Sequence, residues 1–364
     1  MEGLEMLLVE NENDLLRAVE PPTCNTGVQT PLEEGLNPCV DWFQVTFKKF
    51  QNVTKIYEVL GMDSDLFIEL GYGNYGYKKC VAFSNIKIYY DGREDMGVHL
   101  QMSGQGCREY EHFGGYDWIT LTQTCLGAGG QFTRYDLAID DVEREQHKVH
   151  FTIASIKRRV AKGELVSKFK ESDERRKRDI KSGETKGESV YFGSEKSSIR
   201  IRMYDKLAQM KDEGTEGIRA WNRTEIQARD ERAQKIAELI AFSKDETFGV
   251  IAKGILKHYL RFTIKGKDSH RHRWKTAPFW EKFLGNVDAL KLTIQPKIKT
   301  IETTHHWLKK SVSSSLATIY TATGGNMKAI EDIVKEGVKK INKNQKNMIN
   351  AYKKEIALFN KNDE

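Results

Sequence analysis

Three short segments of this chain carry residue types that could do chemistry on a phosphate. In residues 132–141 a two-residue period sets Arg134, Asp136, Ala138 and Asp140 on one side and Tyr135, Leu137 and Ile139 on the other. In residues 199–206 the apolar Ile199, Ile201 and Met203 alternate with Arg200, Arg202, Tyr204 and Lys206, and in residues 221–229 the polar side holds Arg223, Glu225, Gln227 and Arg229. If these segments are neighbouring strands, two or three carboxylates, one phenol and several cations share a patch. Hard carboxylate oxygens are what Mg²⁺ or Mn²⁺ takes, and an arginine grips a non-bridging phosphate oxygen in fork geometry. A phenol with an ordinary pKa near 10 is a poor nucleophile at neutral pH, but adjacent cations and a metal stabilise its phenolate. Its attack on a phosphodiester leaves a covalent phosphotyrosine. The same alternation also describes an antiparallel sheet with one solvated side and ordinary cross-strand ion pairs, so the pattern alone leaves both readings open.

The elements that must position these strands are partly legible. Residues 40–47 alternate aromatic and β-branched with polar residues, and residues 87–92 read as a strand entering an Asp-Gly turn. Between them, residues from the early fifties to Leu70 look helical. Glycine is dense in 71–77 and 96–107, which suggests turn-flanked strands or close-approach loops, yet no phosphate-binding glycine motif occurs. A helix is expected from Val149 to about Lys170, running into a flexible basic connection that ends at residues 181–187; residues 156–188 hold twelve bases against seven acids. The bland account of that excess is a solvated helix face and the sharper one a surface that tracks DNA backbone. A basic knot at 265–275 marks a seam. Beyond Trp280 the pattern is helical, with Ile330, Val334, Val338, Ile341, Met348 and Tyr352 at three- and four-residue steps, a stripe that reads as packing.

Composition sets the outer limits. With 364 residues, 39% hydrophobic and 30% charged, the chain can build one large or two medium globular domains, and global disorder is excluded. No apolar run approaches the roughly 20 residues of a membrane span. The acidic start is unlike an export signal, and five cysteines without C-x-x-C spacing fit neither a disulfide framework nor a zinc ribbon, so a cytoplasmic setting is expected. The net charge of +6 conceals an asymmetry: residues 1–38 hold eight acids and one base, and the remaining 57 bases against 44 acids give the body +13. A basic body points first to a polyanionic partner, but a lysine-rich solubilised surface gives the same balance, so charge alone leaves both readings open. Neither His270-Arg271-His272 nor His305-His306 has the His-hydrophobic-His form of many nicking enzymes, so the histidines read as surface or packing residues.

At the three strands the sequence resembles the trans-acting replication initiators of rolling-circle plasmids and the related DNA relaxases of integrative conjugative elements. The likeness spans residues 40–320. It rests on 132–141, on 191–206 with its Arg-x-Tyr-Asp-Lys context, and on 221–229, supported by 98–107 and 307–317. It implies that Tyr204 is the nucleophile, that Asp136, Asp140 and Glu225 hold Mg²⁺ or Mn²⁺, and that Arg202 and Lys206 contact phosphate. Asp141 is a weaker candidate because it has the opposite parity. The sequence departs from the family pattern at Gln209, where members often carry Glu, and in its acidic leader. The resemblance further implies binding of a double-strand origin and of single-stranded DNA, action as a homodimer, cooperation with a host helicase, and no membrane. Trp118, Trp221, Trp274 and Tyr75 are candidate stacking platforms for unpaired bases.

The resulting expectation is an α+β chain: an antiparallel catalytic sheet covered on one side by helices, and a smaller C-terminal helical region. Its parts are an acidic flexible leader (1–38), a nicking domain (39–265) and a helical region for DNA recognition or packing (266–364). A non-catalytic DNA-binding regulator on the same scaffold is the alternative, and a hydrolase without a covalent intermediate is a third reading.

Overall fold

A computed structural model describes residues 33–292 apart from 211–214, 243–246, 289 and 291, the stretch 312–341, and positions 301, 305, 308, 309, 346, 349, 352 and 353. Alternating sequence builds a ten-stranded sheet from β1 (Gly35–Phe47), β2 (Ile68–Leu70), β3 (Lys79–Phe83), β4 (Ile86–Tyr90), β5 (Val98–Met102), β6 (Gln131–Glu143), β8 (Ser172–Arg178), β9 (Thr185–Phe192), β10 (Ile199–Asp205) and β11 (Ala220–Arg229). Its order is β2-β3-β4-β5-β1-β6-β11-β10-β9-β8, and β7 (Leu165–Ser167) pairs separately with β12 (Leu260–Phe262). Every pairing is antiparallel. The three segments singled out by their alternation are therefore adjacent, as β6, β11 and β10.

One face of the sheet is apolar because the period-two residues of its central strands agree: Phe43, Val45, Leu100, Leu137, Ile201, Met203 and Ile226 are all buried in one core. Helices cover that face. They are α1 (Thr54–Leu60), α2 (Gly104–Phe113), α3 (Trp118–Gly127), α4 (Ile153–Ala161), α5 (Glu231–Ala241), α6 (Thr247–Tyr259) and α7 (Pro278–Leu284), which contribute Leu121, Ile156, Ile236, Ile240, Ile255 and Trp280 to the same core. Phe43 sits at its centre, with ring centroids 5.2–5.5 Å from Trp118, Phe132 and Tyr135. The opposite face carries the polar parity.

Several local expectations give way to tertiary contacts. The helix expected over 149–170 is only α4, because Gly163 takes a left-handed backbone (φ +68°) just past its end. The stretch read as a flexible connection is the β8–β9 ribbon, whose β8 side chains are nearly all exposed and so show no hydrophobic period. Of the glycine-dense stretch 96–107, read as turn-flanked strand or close-approach loop, 98–102 are β5 and 104–107 begin α2; a Cβ at Gly106 would lie 2.4 Å from the Asn85 carbonyl oxygen, so glycine there serves a close approach. Thr152 caps α4 in a reciprocal box with Ser155, accepting from its backbone N–H at 3.1 Å. Thr152→Ala should therefore lower stability by about 1 kcal/mol in urea denaturation, with nicking unchanged.

The chain divides into Met1–Ile294 and Gln295–Glu364. Residues 266–294, grouped by their sequence with the C-terminal helices, include α7, whose Trp280 and Phe283 are fully buried. The acidic leader falls outside the described residues up to position 32, and its last four residues, 35–38, are already strand. The second unit holds α8 (Ser313–Ala322) and α9 (Met327–Val338), joined through the left-handed Gly324 and Gly325. Of the packing stripe, Val334 and Val338 in α9 are exposed, while Met348 lies outside the described residues. No described helix is long and apolar enough to cross a membrane.

Candidate active site

Register places the chemistry on the polar face. Arg202 of β10 lies opposite Glu225 of β11, Tyr204 opposite Arg223, and Arg223 in turn opposite Asp140 of β6. Around them is a cavity of about 340 Å³ lined by Tyr204, Arg202, Lys206, Arg223, Glu225 and Gln227 from these strands, and by Arg134, Asp41, Trp42 and residues 103–105 from their neighbours. Tyr204 is buried, with the Arg202 guanidinium 3.8 Å above its ring. Arg202 also reaches to 3.6 Å of the Glu225 carboxylate. The residues expected to act on DNA, Tyr204, Arg202 and Lys206, thus share one pocket with Glu225.

Asp136 and Asp140 do not open into it. Both arginine–carboxylate contacts of Asp136 come from Arg134 (2.8 and 2.5 Å), and its other oxygen accepts from the Ala228 backbone at 3.2 Å. Asp140 is bound bidentately by Arg223 (2.7 and 2.6 Å) and by the Trp221 indole N–H at 2.6 Å. Each buried acid thereby satisfies and aims a buried arginine. The Arg134 guanidinium carbon lies 3.9 Å from the centroid of the Trp42 ring, and Arg223 lies opposite Tyr204 on the neighbouring strand.

Asp41 lines the cavity as well. A bulge between Val40 and Trp42 on β1 turns both Asp41 and Trp42 to the polar face, and the Val40 carbonyl freed there accepts from buried Arg108 at 2.6 Å. Asp41 then accepts from Arg223 at 2.5 Å. The sequence carries only a trace of this: Val40 and Phe47 have opposite parity, so burying both on one face requires a one-residue shift whose position the pattern does not fix. The amino end of α2 faces the same cavity. Ser103 caps it, and Gly104 lets the backbone come close to Asp41, which a Cβ would meet at 3.0 Å. Free backbone N–H groups at a helix start favour an anion.

Burial dominates the electrostatics of the cavity. Burial pushes the Tyr204 phenol well above its ordinary value, Glu225 and Asp41 push it further, and Arg223 and Arg202 oppose them. Glu225 is raised by burial and by Asp41. Lys206 is pushed down to about 8 by burial and by the neighbouring Arg223. Asp41 and Glu225 offer hard carboxylate oxygens beside a phenol and fit a divalent ion, whose charge would favour the ionised forms of Glu225 and Tyr204.

A second cluster lies across the sheet. Asp141, of opposite parity to Asp140, accepts from His147 Nε2 at 2.7 Å and from His150 at both Nδ1 (3.0 Å) and the backbone N–H (2.7 Å), which holds its carboxyl below the usual range despite burial. One ligand atom from each of these three residues lies within 4.8 Å of the others, so the group can hold a metal ion. His147 and His150 are three residues apart, not in His-hydrophobic-His form, and Asp141 lies six residues before the first, so no compact ligand motif marks the group in the sequence. Of the stacking candidates, Trp118 and Trp221 are buried, Trp274 is half-buried with its indole bonded to the Asp268 carbonyl, and Tyr75 is exposed.

With this geometry in view, comparison with known proteins is decisive. Residues 130–338 match the model of the replication initiation factor family, and residues 37–123 match the rolling circle replication initiation protein N-terminal domain. The chain belongs to the replication initiation factor family. Among its relatives is the provisionally named DNA relaxase NicK of Bacillus subtilis (strain 168), 32% identical over 352 residues that cover 93% of this chain and 97% of that protein. The solved rolling circle replication initiator protein of Geobacillus stearothermophilus is 38% identical and superposes with a TM-score of 0.63, covering 72% of this chain and all of that one. The α+β architecture of this family member, with one polar sheet face, accords with that match. Gln209, where the sequence departs from the family pattern, sits in a 3₁₀ turn after β10 and does not line the cavity.

Proposed function

We propose that the Tyr204 cavity is the nicking site of an enzyme that cuts one DNA strand at an origin and begins rolling-circle replication or conjugative transfer. The observation that carries this reading is the shared pocket of a buried phenol, three arginines, a depressed lysine and two carboxylates. Arg202 and Arg223 flank the ring and offset the charge of an incoming phosphate, while the start of α2 offers backbone donors to its oxygens. In the cutting step the Tyr204 oxygen bonds to phosphorus as its proton leaves, the bond from phosphorus to the 3′ oxygen breaks, and that oxygen takes up a proton. The 5′ phosphate stays on the protein and the 3′ hydroxyl is free to prime synthesis. Reversal of the same exchange reseals the strand.

Glu225 and Asp41 are the residues that would hold Mg²⁺ or Mn²⁺, with Asp136 and Asp140 fixing Arg134 and Arg223 instead of ligating. A bound ion there supplies charge that polarises the phosphate and favours the phenolate. The setting is cytoplasmic, the DNA is a double-strand origin together with its melted strand, and a homodimer working with a host helicase is the assembly in keeping with the family resemblance.

The test uses a supercoiled plasmid bearing the element's own origin, incubated with Mn²⁺ or Mg²⁺. Open circles and a detergent-stable protein–DNA adduct that maps to the peptide holding Tyr204 are expected; open circles with no adduct would show hydrolysis, and binding with no cut in any metal would show a regulator. Lys206 adds a pH test. Its ammonium is present below pH 8 and lost above, so affinity for a single-stranded oligonucleotide, measured without metal, should fall as pH rises through about 8. Lys206→Arg, which keeps its charge, should flatten that profile.

A further inference from the structure

The polar face does not end at the pocket. Beyond Arg134 it crosses β1, β5 and β4 to a loop that the nicking chemistry leaves unused. Gln44 lies opposite Arg134 on the neighbouring strand and donates to Gln101 Oε1 at 2.9 Å; the same oxygen accepts from the Tyr75 hydroxyl at 2.9 Å. Tyr75 rests edge-on against Tyr89 and His99, with ring centroids 5.5 Å from each, and Tyr77 stacks on His99. These rings form a small aromatic bed on the polar side of the sheet, with its own buried Tyr77, Cys80 and Tyr89. Yet its uppermost rings stay in solvent: Tyr75 is 53% and Tyr72 54% exposed, and Lys87 lies 6.0 Å from the Tyr72 ring.

The loop is built to hold Tyr75 where it is. Tyr75 has a left-handed backbone (φ +56°), which a tyrosine rarely adopts, and its N–H is fixed by the Asn74 side chain at 2.7 Å. A Cβ at Gly73 would lie 2.0 Å from the Tyr77 carbonyl oxygen, so the loop closes only with glycine there. Local strain spent to keep a large ring exposed points to a ligand. At the pocket end, the Trp42 indole nitrogen is buried without an acceptor. From β10 to β4 is five strand spacings, roughly 24 Å.

Aromatic faces, amide groups that can meet base edges, and a positive pocket at one end are the features of a single-strand track. We propose that unpaired DNA flanking the cut phosphate lies across this face, from Trp42 and Arg134 over Gln44 and Gln101, with bases stacked on Tyr75 and Tyr72. The inference rests on the Tyr204 pocket being the nicking site, but its test involves no cutting.

Affinity of the full chain for fluorescent oligothymidylates is measured by anisotropy in chelator, from about 4 to about 16 nucleotides. For the unaltered protein, affinity should climb steeply with length as the track fills. Tyr72→Ala/Tyr75→Ala should bind the longest probe roughly tenfold or more weakly while binding the shortest one normally, since short probes reach only the pocket. Tyr75→Phe, which keeps the ring, should match the unaltered protein. A photoreactive thymidine in the long probe should crosslink to the peptide carrying residues 72–75. Equal affinity of the double variant across all lengths, or crosslinks confined to other faces, would overturn the proposal; loss at every length with Tyr75→Phe also impaired would mark the loop as structural only and overturn it as well.

Discussion

Tyr204→Phe should abolish both nicking and the covalent adduct, a loss beyond the detection limit of a plasmid assay, while affinity for single-stranded DNA stays within about twofold. The phenylalanine ring fills the same buried space and keeps the 3.8 Å contact with Arg202, so only the oxygen is lost. No other described residue in the cavity replaces it: the neighbouring carboxylates are poorer at forming a durable phosphodiester adduct, and Lys206 is still largely an ammonium at neutral pH. The experiment separates the three readings of the sequence. A tyrosine transferase loses everything, a hydrolase keeps cutting, and a regulator never cut. Glu225→Gln supplies the complementary arm. It should leave Tyr204 in place but remove the response to Mn²⁺, and binding without metal should be retained.

Asp140→Ala should cost about 3 kcal/mol of stability in urea denaturation. The substitution takes both strong contacts from Arg223, which is 2% exposed, and leaves the Trp221 indole N–H without its acceptor. Asp41 remains as a partner for the guanidinium, which keeps the loss toward the low end of the range for a broken buried pair. Asp140→Ala/Arg223→Met should recover much of the stability, because a buried apolar pair needs no compensation, yet nicking should stay absent since Arg223 flanks the nucleophile. If Asp140 were a metal ligand and not an anchor, the single variant would instead unfold normally and its defect would be relieved by raising the metal concentration.

Much of this site could be read before any coordinates. The period of β6, β10 and β11 sorted Tyr204, Arg202, Arg223 and Glu225 onto one face, and that face is where they lie. What periodicity could not say is how the acids on it divide their work. Asp136, Asp140 and Glu225 look equivalent along the chain, but the first two meet arginines across or along the sheet while Glu225 stands opposite Arg202 at 3.6 Å with its carboxylate on the cavity. Asp41 was hidden by its bulge, and the basic ribbon of β8 and β9 by having no buried side to impose a period.

The sequence by itself determined which residues share a side of each strand, because side chains alternate with a fixed period and burial of the apolar half leaves no choice for the rest. Tertiary structure alone decided the partners: strand order, the place of a one-residue bulge and the reach of two arginines chose which carboxylates lie behind an arginine away from the cavity and which line it with Tyr204. Those choices depend on distances across the sheet between residues as far apart in the chain as Asp41 and Arg223, and no local pattern encodes them.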